Sequence, residues 1–211
     1  MAQGTVTRWW WVRHAPVEQA YLSRLYGQAD MNADLSNGPS FTAVADRLPK
    51  AALWLTSNLK RTQQTAQALQ SAGAENIKPS VEPAFAEQCF GDWCEKTWDE
   101  IGFDKAAQAF WNDPANIRPP GENAESFVDL CERVAPRINQ ITYENLGQDI
   151  ICVAHAGSIR AAVALALSMT AEQALALDIQ NTSVTRLDFM SQEPKLDGNG
   201  NWRVIGLNQF C

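Results

Sequence analysis

Three consecutive tryptophans, Trp9 to Trp11, stand in the run TVTRWWWVRHAP near the start of the chain. The run lacks helical periodicity and is rich in β-formers, so it reads as a strand. A strand that is apolar at successive positions needs cover on both faces, which is the situation of a central strand in a sheet clad with helices. AALWLTS (51–57) and DIICVAH (149–155) have the same character. Each is followed by a helical pattern. After Ser57, Leu59, Ala66 and Leu69 fall on one face of a segment that ends at Gly73. After Gly157, Ile159, Val163 and Leu167 recur at i, i+4, i+8. Strand, short loop, helix, repeated, predicts a layered α/β fold with a largely parallel sheet. ENAESFVDLCERVAPRINQIT (122–142) reads as a further long helix. TSVTRLDF (182–189) and WRVIGLN (202–208) read as late strands joined by a turn at DGNGN (197–201).

The 211 residues fit one domain, 1–211, with enough chain to bury a sizeable core unaided by metal or disulfide. Residues 85–121 break the alternation. They mix Phe85, Phe90, Trp93, Trp98, Phe103, Phe110 and Trp111 with glycine and proline, and read as an irregular insertion packed over one sheet edge. The formal charge of −7 disfavours nucleic acid and anionic membranes as partners. Five scattered cysteines with no C-x-x-C suggest reduced thiols and a cytoplasmic location. The N-terminus does not read as a signal peptide, and no apolar run is long enough to span a bilayer. The N-x-S triplet at Asn181 therefore lacks a secretory context. Oligomeric state is left open.

Open α/β sheets bind ligands at the carboxyl ends of their strands. The first strand ends in Arg13-His14. The second precedes a helix with Arg61 in its first turn. The third ends in His155-Ala156-Gly157. Both histidines of the chain thus stand at strand ends, in VRHAP and VAHAG. Two arginines and two histidines converging on helix N-termini make an anion pocket. Singly, each has a plainer reading. Either histidine could be a polar strand terminator, Arg61 a solvated helix residue, Arg13 half of an ion pair, and the tryptophans core. Their joint placement is what points to chemistry. A zinc site is disfavoured by the lack of H-x-x-x-H and by the adjacent arginines. LDGNGNW lacks the glycine and closing glutamate of a calcium loop. Walker A, G-x-G-x-x-G and G-x-S-x-G patterns are absent.

VRHAP, TSNLKRTQQTA, EQCFGDW, PPGENAES and VAHAGSIRA, in that order over nearly the whole chain, resemble the histidine phosphatase superfamily. Within it the resemblance is to the small phosphatases, including α-ribazole phosphatase. It implies a phosphoglycerate mutase-like fold, three-layer α/β/α, and a phosphatase without metal or cofactor. The substrate would be a small phosphomonoester, such as α-ribazole phosphate or another metabolite phosphate. It implies His14 as nucleophile, Arg13 and Arg61 as phosphate-binding arginines, and Glu87 as general acid. His155 would be a second pocket histidine, protonated beside the phosphate. Phosphoglycerate mutase-type transfer, a protein-phosphatase role and a non-enzymatic phosphate-binding module are the alternatives. Three departures mark this chain. Ala15 stands for the family's glycine, Trp93-Cys94-Glu95 for W-E-G, and PPGENAES is longer than P-P-G-G-E-S. The altered segments fall where the pocket rim is expected. The aromatic-rich insertion could stack a substrate ring or form its own core.

Overall fold

The computed structural model describes residues 5–74, 78–191 and 201–210. Its strands are β1 (Val6–Arg13), β2 (Arg24–Leu25), β3 (Leu53–Thr56), β4 (Ser80–Val81), β5 (Lys96–Thr97), β6 (Asp149–Ala154), β7 (Val184–Met190) and β8 (Trp202–Gln209). Its helices are α1 (Gly38–Arg47), α2 (Lys60–Ser71), α3 (Trp98–Ile101), α4 (Lys105–Asn112), α5 (Phe127–Glu144), α6 (Ala156–Leu167) and α7 (Ala171–Leu175). The main sheet has the order β4-β3-β6-β1-β7-β8. The first four run parallel, and β7 pairs antiparallel with both β1 and β8. The sheet is thus mixed and mostly parallel.

Side-chain alternation explains why apolar runs suit these strands. Trp9, Trp11, Leu55, Ile150, Cys152 and Ala154 face a core built with α5 and α6. Val12, Trp54, Ile151 and Val153 face the opposite core, built with α1 and α2. Trp9 and Trp11 stack with ring centroids 5.0 Å apart, and Phe85 meets Trp11 edge-on at 5.2 Å. Fully buried aromatics of this size stabilise a fold by about 3–5 kcal/mol each relative to alanine. Trp10 departs from the reading of all three tryptophans as core. It is half-buried, donates to Asp149 Oδ1 at 2.8 Å, and carries the Arg186 guanidinium over its ring at 4.6 Å.

Several boundaries differ from expectation. Helix α5 begins after Ser126, not at 122, because Ser126 and Asp129 form a capping box and Asn123 takes a left-handed φ of 59°. Leu167 does not continue the buried face of Ile159 and Val163. It is 51% exposed at the last turn, and Ser168 ends the helix in the left-handed region. Helix α1 went unread, although Asn37 caps it and Phe41, Val44, Ala45 and Leu48 follow helical spacing. The turn expected at 197–201 lies outside the described residues, apart from Asn201.

Residues 85–121 are more regular than expected. They hold β5, α3 and α4, and Trp93, Ile101, Ala107 and Phe110 form a small core of their own. Strand β5 pairs with β2 in a separate two-stranded sheet. Glu95, standing where the family has glycine, adopts φ 67°, a conformation that glycine takes without steric penalty. Its N–H donates to Leu25 O at 2.8 Å and its carbonyl accepts from Arg24 at 2.6 Å, which hold it there. Glu95→Gly should therefore raise unfolding stability by about 1 kcal/mol, or a Tm gain of about 2–4 °C for a chain of this size. A fall in the thermal midpoint would contradict this account of the turn.

Candidate active site

Strands β1, β3 and β6 are neighbours, and their carboxyl ends bring three loops to one place. His14 follows β1 and is almost fully buried. Its N–H donates to Ala154 O at 2.9 Å, and its carbonyl accepts from Asn181 Nδ2 at 2.8 Å. The triplet at Asn181 thus has a structural use that the sequence did not disclose. His14 Nδ1 lies 2.6 Å from Ala15 O. A carbonyl only accepts, so Nδ1 carries the proton and Nε2 keeps its lone pair. Ala15 is not among the residues with positive φ, which explains why alanine is tolerated here, and its N–H donates to Thr65 Oγ1 at 2.9 Å.

Arg61, in the first turn of α2, is fully buried. It donates through Nη1 to Ala29 O at 2.8 Å and through Nη2 to Gly27 O at 2.6 Å, while Nε points at His14 Nε2 at 3.3 Å. One N–H on each Nη remains for an anion. Arg13 is anchored through Nη1 to Ile179 O, and its Nε is buried without a partner among the described residues. His155, the N-cap of α6, places its ring centroid 5.1 Å from that of His14. Ser57 Oγ, beyond the end of β3, lies 2.8 Å from His155 Nε2. His155 Nδ1 is buried and unpartnered among the described residues. Two orphaned buried polar nitrogens beside a buried guanidinium are what an oxyanion site requires.

Burial, then the charges of Arg61 and Arg13, hold His14 well below the ordinary 6.5, against the opposing bond to Ala15. Burial and the positive surroundings, Arg61 first, lower His155 in the same way. Without a bound anion both imidazoles are neutral near pH 7. Protonation of His155 is expected beside a bound phosphate, whose charge would offset the arginines. The sign of the stability effect follows. As pH falls through about 6.5, the unfolded chain takes up protons that the folded one refuses. Stability is full above that value and declines below it. Urea midpoints should drop between about pH 7.5 and about pH 5.5, and drop less in His155→Gln. An equal drop in the variant would contradict the assignment.

Glu87 reaches the site from the segment after Phe85. Its Oε1 accepts from Gly157 N and Gln88 N, both at 3.1 Å, while Oε2 has only a 3.4 Å contact with Gly157 N. A Cβ on residue 157 would collide with Glu87 Oε1, so glycine is what allows the carboxylate onto the start of α6. The segment is fixed from below by Arg133. Arg133 forms a two-point pair with Glu125, at 2.8 and 2.9 Å, and donates to Ala84 O at 2.7 Å and to Glu87 O at 3.4 Å. Glu125 also accepts from Cys89 N at 2.9 Å. The lengthened PPGENAES segment thus still delivers a carboxylate under the Glu87 segment. Beside Glu87 and Gly157 opens a cleft of about 260 Å³, walled by Tyr26, Gly27, Phe90, Phe127, Arg160 and Leu175 among others. A larger groove, about 510 Å³, runs along α2 and β4 and contains neither histidine nor carboxylate.

All five residues singled out in the sequence therefore meet at one end of the sheet. Sequence reasoning missed Ser57, Asn181, Arg133 and Arg160. Ser57 could have been noticed as the polar residue ending the second strand. The others act across long sequence separations. No helix among the described residues is long and apolar enough to cross a membrane.

Comparison with known proteins bears on the fold and the family. A bifunctional protein of Mycobacterium tuberculosis is 26% identical over 208 residues, 97% of this chain and 55% of that one, so the chain spans about half that relative's length. A metal-independent phosphoserine phosphatase of Arabidopsis thaliana is 30% identical over 158 residues, 71% of this chain and 64% of that one. A mycobacterial glucosyl-3-phosphoglycerate phosphatase superposes with a TM-score of 0.79 at 25% identity, over 96% of this chain and 99% of that one. The α-ribazole phosphatase of Shigella flexneri shares the fold, with a TM-score of 0.79 at 22% identity over 96% of each chain. The family model for the histidine phosphatase superfamily (branch 1) matches residues 9–201, a span that carries the pocket from Arg13 to His155. By that match the chain belongs to the histidine phosphatase superfamily, branch 1.

Proposed function

We propose that the protein is a phosphomonoesterase that needs no metal and works through a phosphohistidine on His14. The observation that carries this reading is the state of the His14 ring. With its Nδ1 proton held by Ala15 O at 2.6 Å, Nε2 is a lone pair set among guanidinium donors. A phosphomonoester brings about two negative charges to that point. Arg13, Arg61 and His155 hold its non-bridging oxygens, and positioning with charge stabilisation is most of what phosphoryl transfer needs. His14 Nε2 attacks phosphorus in line, the ester P–O bond breaks, and protonated Glu87 gives its proton to the leaving oxygen. Glu87, now a carboxylate, then takes a proton from water as the water oxygen attacks phosphorus. The N–P bond breaks, and inorganic phosphate and neutral His14 result.

Relatives named for phosphoserine and glucosyl-3-phosphoglycerate hydrolysis support a small phosphorylated metabolite as substrate. Phe110 contacts the rings of both Trp93 and Trp111, which favours an internal core over stacking on a ring such as that of α-ribazole phosphate. Four free cysteines among the described residues suit a reducing, cytoplasmic setting. The test is hydrolysis of 4-nitrophenyl phosphate and a metabolite phosphate panel with a chelator present. Turnover should survive the chelator. Phosphate binding without turnover would overturn the reading in favour of a binding module. Isomerisation that depends on a bisphosphate primer would overturn it in favour of a mutase.

A further inference from the structure

The segment that follows Glu87 carries two free, half-buried thiols, Cys89 and Cys94. They stand on either side of the short helical turn Gly91–Trp93. Cys94 occupies the glutamate position of W-E-G, so it is a departure of this chain from the pattern it resembles. Its sulfur packs against the loop that holds Arg61. A Cβ built on Gly27 would lie 3.5 Å from Cys94 Sγ, and that sulfur is within hydrogen-bonding reach of the Phe90 and Gln28 backbone and of the Cys89 side chain. The loop serves both halves of the pocket. Gly27 O and Ala29 O anchor the Arg61 guanidinium at 2.6 and 2.8 Å, and Gln28 Nε2 donates to Glu87 O at 2.8 Å. The two cysteines differ in surroundings. Cys89 lines a groove of about 470 Å³ together with Gln28, Asn58 and Arg118. Its backbone is fixed by Glu125, from Cys89 N to Glu125 Oε2 at 2.9 Å and from Glu125 N to Cys89 O at 2.8 Å. Burial pushes the Cys94 thiol up from its ordinary value, so little of it is thiolate at neutral pH, and Cys89, facing the groove, meets an oxidant first.

A disulfide needs its sulfurs about 2.05 Å apart, well inside any contact between free thiols. We propose that Cys89 and Cys94 are a reversible modification site, which a peroxide closes into a disulfide that loosens the Gly27–Gln28 loop and weakens the phosphate pocket. Cys89, as thiolate, attacks a peroxide oxygen, the O–O bond breaks, and the leaving hydroxide takes up the proton of the thiol as water. The Cys94 sulfur then attacks the resulting sulfenic sulfur, the S–O bond breaks, and hydroxide leaves as water with the Cys94 proton. The two thiols are oxidised by two electrons together, and the peroxide is reduced by two. Because Glu125 holds Cys89, the shortening falls on Cys94, which is drawn away from Gly27 and Gln28. Arg61 and Glu87 then lose the support that sets their positions. The effect on turnover rests on the phosphatase reading above, whereas the disulfide and its effect on phosphate binding do not.

The test treats the reduced protein with hydrogen peroxide, removes the excess with catalase, and alkylates before tryptic digestion. Peptide 62–96 holds both cysteines and no other, the bond before Pro79 resisting trypsin. It should appear unalkylated and lighter by two hydrogens. In the same sample kcat on 4-nitrophenyl phosphate should fall by about 10- to 100-fold, as a displacement of about 1 Å allows. Dithiothreitol should reverse both changes. Cys89→Ser and Cys94→Ser should keep their untreated kcat through the same exposure. The calorimetric Kd for inorganic phosphate should rise by about 10-fold in the oxidised wild type, through Arg61. Absence of a disulfide within the peptide, or a disulfide that leaves kcat and Kd unchanged, would overturn the proposal, and so would an equal loss in Cys89→Ser. If the reduced protein turns over no phosphomonoester, the phosphatase reading fails, and the peptide and the phosphate Kd decide on the thiol pair by themselves.

Discussion

His14→Ala should lower kcat for every phosphomonoester by about 10⁴-fold or more, because it removes the atom that forms the new bond to phosphorus. The loss is expected to be chemical and not structural. His14 is neutral and buried, and the backbone bonds of its loop, from His14 N to Ala154 O and from Asn181 to His14 O, do not involve its ring. Arg13, Arg61 and His155 remain, so inorganic phosphate should still protect the variant against thermal unfolding. Loss of turnover with phosphate protection retained is the expected pair of results. A variant that keeps more than about a tenth of wild-type kcat would remove His14 from the chemistry.

Glu87→Gln should divide the two half-reactions. On alkyl phosphates, whose leaving oxygen needs a proton, kcat should fall by about 10²–10⁴-fold. On 4-nitrophenyl phosphate the first step needs little help, but hydrolysis of the phosphoenzyme still lacks its base. The expected signature is a burst of nitrophenolate followed by a slow steady state. Gly157→Ala should resemble it from a distance, because the new methyl group occupies the position of Glu87 Oε1. Its loss on alkyl phosphates should be about 10²-fold, from a misplaced acid. If Gly157→Ala leaves alkyl phosphate turnover intact, Glu87 does not act from the position described.

These expectations depend on parts of the chain that differed in legibility. His14 and His155 could be read directly, because apolar strands ending in polar residues mark the ligand edge of a parallel sheet. Arg61 followed from its place in a helix after such a strand. Glu87 could not be chosen among nearby acids without the family resemblance. Its position depends on Arg133 and Glu125, which lie 46 and 38 residues further along the chain. Contacts at such separations leave no local pattern to read. Asn181 and Arg160 were hidden for the same reason. Helix boundaries failed where capping competed with periodicity. ENAE reads as helix by residue preference, but the Ser126 box and the left-handed Asn123 start the helix later. In 85–121 the aromatic residues suggested irregularity, yet they are the core of a small helical subassembly that local periodicity over four- and eight-residue helices could not reveal.

The most direct test of the central claim is to trap the phosphoenzyme. Wild-type protein mixed with excess phosphomonoester under chelator, quenched in alkali and digested, should yield a peptide spanning His14 that carries one phosphate. The label should be lost on acid treatment, as a phosphorus–nitrogen bond requires, and with 4-nitrophenyl phosphate as donor it should accumulate further in Glu87→Gln. Phosphate found on another residue, or turnover with no phosphopeptide in either protein, would contradict the account of His14 as the nucleophile.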